Sequence, residues 1–105
     1  MENDADRDGT WYARGVARLN WGVYKEEKNE DAVPLYQAAI EDFDEALARN
    51  PGKAVTWVHR ALAFRNRASH EETMGRDPDS HYERALADYG KAFRLDSKRI
   101  GIRQS

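Results

Sequence analysis

The stretch Ala38-Ala39-Ile40-Glu41-Asp42-Phe43-Asp44-Glu45-Ala46-Leu47-Ala48-Arg49-Asn50-Pro51 decides the fold. Its apolar residues fall at three- and four-residue steps, the spacing of one helical face, and Asn50-Pro51-Gly52 ends the run. The same pattern returns as Ala85-Leu86-Ala87-Asp88-Tyr89-Gly90-Lys91-Ala92-Phe93, offset by 46 positions. At that offset Trp11 meets Trp57, Arg14 meets Arg60, Asn20 meets Asn66, Asp31 meets Asp77, Tyr36 meets Tyr82 and Asp42 meets Asp88. A period of this length marks a repeat architecture, in which a helix pair buries its apolar face by stacking on the next pair.

Working outward, Thr10 reads as the N-cap of a first helix running from Trp11 to about Lys28, with Val16, Leu19 and Val23 at helical spacing. Gly22 reads either as loosening this helix or as allowing a close helix contact, and Asn29-Glu30-Asp31 reads as a turn. A second helix spans about Val33 to Arg49, opening on Pro34. The third runs from Lys53 to about Thr73. Gly75-Arg76-Asp77-Pro78 then breaks the chain before a fourth helix from Asp79 or Ser80 to about Leu95, with Ser80 and Glu83 spaced as a capping box. That helix runs through Tyr82, Ala85, Leu86, Tyr89, Ala92 and Phe93. Residues 1–9 form a flexible acidic lead-in, 10–52 and 53–97 the two repeats, and 98–105 a tail.

These residues resemble the tetratricopeptide repeat. The points that carry the likeness are Trp11, Gly15, Ala39, Phe43, Ala46 and Pro51, then Trp57, Ala61, Ala85, Tyr89 and Ala92, with Ser97 in place of the proline. The family's unit is about 34 residues, so each unit here carries about a dozen more. The resemblance implies an all-α fold of antiparallel helix pairs, four main helices stacked as a short right-handed α-solenoid. It also implies a protein-interaction module whose first helices line a groove for a peptide or helix. By position that groove is lined by Tyr12, Val16, Leu19, Asn20, Val58, Leu62, Arg65 and Asn66. The family's carboxylate clamp maps to Tyr12, Val16, Val58 and Leu62, which cannot form it. In the alternative reading the solenoid self-associates, as a homodimer or as part of a longer repeat array, burying Phe93, Leu95, Ile100 and Ile102.

Packing and charge give further expectations. Gly15, Ala61, Ala39, Ala46, Ala85 and Ala92 mark close helix approaches, and Trp11 and Trp57 fill the space between paired helices. Arg14 with Asp42 and Arg60 with Asp88 read as one ion pair per unit. Residues 1–50 carry 12 acidic and 6 basic side chains, residues 51–105 carry 7 acidic and 11 basic, so opposite ends can attract head to tail.

The chemistry-bearing residue types do not assemble into a reactive site. There is no cysteine, which excludes disulfides, thiol catalysis and cysteine-based zinc sites. His59, His70 and His81 recur every 11 residues without a His-x-x-x-His pair, and read as solvated or boundary side chains rather than a metal site. Asp4-Ala5-Asp6-Arg7-Asp8-Gly9 matches the first half of a calcium loop, but its twelfth position is Gly15, not glutamate. Lys53, Arg60 and Arg67 recur every seven residues, yet the acidic balance of the chain disfavours nucleic acid. Glu26-Glu27 and Glu71-Glu72 read as solvating charge. No phosphate loop or nucleophile motif occurs, and no apolar run approaches a membrane span. The expectation is a cytoplasmic, non-enzymatic binding module without cofactor, metal or membrane partner.

Overall fold

A computed structural model describes residues 4–99, with side chains for 8–96. Among the described residues the chain is all-α. Helix α1 spans Asp4–Glu27, α2 Val33–Arg49, α3 Ala54–Thr73 and α4 Asp79–Arg99. Helices adjacent in sequence pack together, and α1 also touches α3. Among the described residues α2 does not reach α4. The body measures 44 × 42 × 18 Å, so it is about two helix diameters deep.

The two inter-helix turns are built alike. Glu30 N–H donates to Lys25 O and Asn29 N–H to Glu26 O, the paired bonds of a Schellman motif, with Asn29 at φ 61°. Forty-six residues on, Arg76 N–H donates to Glu71 O and Gly75 N–H to Glu72 O, with Gly75 at φ 80°. The second helix of each pair then starts under an aspartate. Asp31 Oδ1 accepts from Val33 N–H at 3.1 Å, and Asp77 Oδ1 from Asp79 N–H at 3.0 Å. That shared task accounts for the recurrence of Asp31 as Asp77. It also replaces the expected Ser80–Glu83 capping box, since Ser80 already lies inside α4.

Two other boundaries differ from expectation. Helix α1 begins at Asp4, not after a cap at Thr10, so much of the supposed lead-in is helical. Asp8 is buried there and its carboxylate meets Lys53 Nζ at 3.2 Å, a tertiary anchor no local pattern reveals. The helix also removes the loop that a calcium reading of Asp4 to Gly9 requires. Helix α4 continues through Ser97 to Arg99, because serine lacks the break a proline imposes. Ile100 and Ile102 lie outside the described residues.

Small residues set how closely the helices approach. A Cβ on Gly15 would sit 2.6 Å from the Phe43 ring, and one on Gly22 2.6 Å from the Tyr36 ring. Both rings are wholly buried against α1, with Ala39, Ile40, Ala61, Ala63, Phe64 and Ala85 completing the core. Trp11 and Trp57 lie between side chains of the paired helices, as expected, but at the edge of this core. Trp11 is half-buried beneath Arg14 and Arg49, and Trp57 beneath Arg60, with its indole N–H donating to Pro51 O at 2.8 Å. Indole bodies under guanidinium planes favour that half-exposed position.

Candidate functional site

Many of the charged side chains are held by partners within the fold. Arg14 binds Asp42 through Nε and Nη2, the latter at 2.9 Å, and Arg60 binds Asp88 through Nε at 2.8 Å and Nη2 at 2.9 Å. The expected pair per unit therefore forms, on carboxylates that are buried. Arg18 adds a second cation to Asp42, and Arg60 a second carboxylate, Asp44 at 2.7 Å. These bonds to Asp88 and Asp44 hold the Arg60 guanidinium firmly protonated. Lys53 is taken by Asp8, and Arg67 by Gln37 and Glu71. The seven-residue basic stripe is thus spent inside the fold.

Glu26, Glu71, Glu72 and His70 are also engaged within the fold. Tyr36 donates to Glu26 and Tyr82 to Glu72, at equivalent positions of the two units. Glu71 is buried and meets Arg76 at 2.6 Å, which lowers its pKa. Neither glutamate pair is merely solvating. The 46-residue spacing of Glu26 and Glu72, alongside that of Tyr36 and Tyr82, was the available signal. His70 is buried rather than solvated, with Nδ1 3.2 Å from Glu26 and Nε2 3.3 Å from both Asp31 Oδ1 and the Ala32 nitrogen. It ties α3 to the α1–α2 turn. A notch of about 200 Å³ opens beside it, lined by Glu26, Asn29, Glu30, Asp31, His70, Thr73 and Met74. Among the described residues no cluster of three or more ligating side chains is placed to hold a metal ion.

The eight groove residues divide. Val16, Val58 and Leu62 are half-buried on the first helices α1 and α3, and Val16 and Leu62 pack on the core. Tyr12 joins the two helices. Its hydroxyl lies 3.2 Å from His59 Nδ1, its ring meets the imidazole edge-on at 5.2 Å, and Lys53 Nζ stands 5.4 Å above it. Burial raises the Tyr12 pKa, with Lys53 acting against it. Asn20 and Arg65 are exposed and Asn66 is half-buried. Leu19 does not line a groove: it is buried in the core with Tyr36 and Ala39, on the ridge of α1 that faces α2. Two residues extend the apolar stripe beyond that set. Val23 follows Val16 by seven positions and Val55 precedes Leu62 by seven, and both are exposed. Their helical spacing was the sequence signal for them.

No helix among the described residues is long and apolar enough to cross a membrane. The chain matches no protein-family model, no curated protein and no solved structure.

Proposed function

We propose that this chain is a non-enzymatic protein-interaction module of tetratricopeptide-like design, working in the cytoplasm on a protein partner rather than nucleic acid. Its α1 and α3 helices receive an apolar peptide or helix. The observation that carries this reading is the stripe of half-buried and exposed apolar side chains on two touching first helices: Val16 and Val23 on α1, Val55, Val58 and Leu62 on α3. Contact between α1 and α3, with none between α2 and α4 among the described residues, favours curvature toward the first helices. Arg65, Asn20 and Asn66 at the margins of the stripe supply polar contacts to a peptide backbone. The sequestration of the buried carboxylates in ion pairs and of His70 between helices leaves the chemistry-bearing groups to structural work.

Peptide display against the folded chain tests this. Enriched peptides should be apolar and should bind at least tenfold more weakly to a Val23→Glu, Val55→Glu double variant, whose positions are exposed enough to leave the fold intact. Enrichment of peptides indifferent to those two substitutions would sink the groove reading.

A further inference from the structure

The internal junction between the two helix pairs is a template for a junction that the chain can make with another copy of itself. At the α2–α3 contact, Ile40 and Leu47 of α2 are 4% and 6% exposed. Their equivalents on α4, Leu86 and Phe93, are 70% and 65% exposed and lie seven residues apart on one face. The other side of the junction behaves the same way. On α3, Ala63 and His70 are buried and Arg67 reaches Gln37 of α2. Their equivalents on α1 are Ala17, Tyr24 and Trp21, all exposed, the last two by more than half. So α4 displays the face that α2 offers to α3, and α1 displays the face that α3 offers to α2.

We infer that the α1 face carrying Ala17, Trp21 and Tyr24 docks on the α4 face carrying Leu86 and Phe93 of a second copy, head to tail. Two features make the pairing of unlike faces preferable to like with like. The first is that the internal junction joins these unlike faces already. The second is charge, slight but of opposite sign on the two docking helices: α1 carries five acidic and four basic side chains, and α4 four acidic and five basic. The external junction is also more apolar than its template, because Trp21 and Tyr24 stand where α3 has Arg67 and His70. A contact between unlike faces leaves one face of each kind free, so it propagates as an open series or a closed ring. This inference stands apart from the groove reading, since it uses the sides of α1 and α4 and not the Val16–Val55 stripe.

The experiment is molar mass by light scattering of the whole chain and of two variants, Trp21→Glu and Phe93→Glu, alone and mixed. Both positions are exposed, so each variant should keep the helical circular dichroism of the parent. The wild type should exceed 12.1 kDa with rising concentration, and less so in high salt. Each variant alone should remain at the monomer mass, because one face is blocked. An equimolar mixture should give a species of twice that mass, since Trp21→Glu retains a working α4 face and Phe93→Glu a working α1 face. A wild type that stays monomeric to millimolar concentration, a single variant that still dimerises by itself, or a mixture that stays monomeric would each overturn the proposal.

Discussion

Tyr36 donates its phenolic hydrogen bond to Glu26 across the first helix pair, from a ring that is wholly buried. Burial first, and then the Glu26 carboxylate, push the Tyr36 hydroxyl well above the ordinary tyrosine pKa. The neutral phenol is therefore favoured in the folded chain. Its contribution is fully present below the unfolded pKa of about 10 and declines as pH rises beyond it, because the unfolded state then loses the proton first. Replacing Tyr36 by Phe should cost about 1–3 kcal/mol near neutrality. Urea titrations of both proteins from pH 7 to 11 should show that gap shrinking above pH ~10; a gap that is constant with pH would refute the assignment.

The two repeated ion pairs should not respond equally to loss of the arginine. Asp88 is buried and depends on Arg60, whereas Asp42 keeps Arg18 at 3.1 Å when Arg14 is removed. An unpaired buried carboxylate costs about 3–5 kcal/mol, while an exposed arginine whose carboxylate keeps a second cation contributes little, because solvent screens it. Arg60→Met should therefore destabilise by about 3 kcal/mol, and Arg14→Met by clearly less. Adding Asp88→Leu to Arg60→Met should restore most of the loss. Equal costs for the two single variants in chemical denaturation would contradict the geometry.

Glycines within the single helix α1 should respond with opposite signs. At Gly22 and Gly15 a new Cβ would enter the Tyr36 or Phe43 ring, at 2.6 Å in each case, whereas at Gly9 nothing lies within 4 Å. Overpacking costs about 1–3 kcal/mol, against a gain of about 1 kcal/mol in helix propensity from glycine to alanine. Gly15→Ala and Gly22→Ala should lower the melting temperature, and Gly9→Ala should hold or raise it. Thermal melts of the three variants decide the matter.

Much of this arrangement was legible in the sequence because the repeat states each relationship twice. The Arg14–Asp42 pair, the small residues at Gly15 and Ala61, and the bounds of α2 follow from the 46-residue offset and helical spacing. Asp31 and Tyr36 were visible as recurring residues, but their tasks were not, since an Asx cap and a Tyr–Glu bond depend on where a turn places them. What no pattern contains is which copy of a face has a neighbour. Ile40 and Leu86 occupy the same register of the same stripe, and only the presence of α3 beside α2 buries one and leaves the other in water. Leu19 was misplaced for a related reason: its stripe is continuous with Val16, and the side facing α2 is fixed by packing.

Gly75 and Asn29 hold equivalent left-handed positions, at φ 80° and φ 61°. An added Cβ at Gly75 would meet nothing within 4 Å, so any penalty there comes from the backbone alone. Gly75→Ala should destabilise by about 1–2 kcal/mol, and Asn29→Gly should be neutral or slightly stabilising. If Gly75→Ala proved neutral, the left-handed turn would not be required for α3 to end.

His81 gives the acid side of the pH profile. Its ring stacks on Phe64 with centroids 6.4 Å apart, and its Nδ1 is buried without a hydrogen-bond partner. Burial lowers its pKa, and Arg67 and Arg84 lower it further, against the opposing pull of Glu71. The neutral ring is thus the folded form. Between the unfolded pKa of about 6.5 and the lower folded value, the unfolded state binds more protons, so stability rises with pH across that window. The contribution is complete above about pH 6.5 and is lost as pH falls toward the folded pKa. His81→Phe keeps the stack on Phe64 and removes the titration. The difference in stability between it and the wild type, measured from pH 4 to 8, should shift in the variant's favour below about pH 6.5. A difference that does not vary with pH would mean that His81 titrates alike in both states.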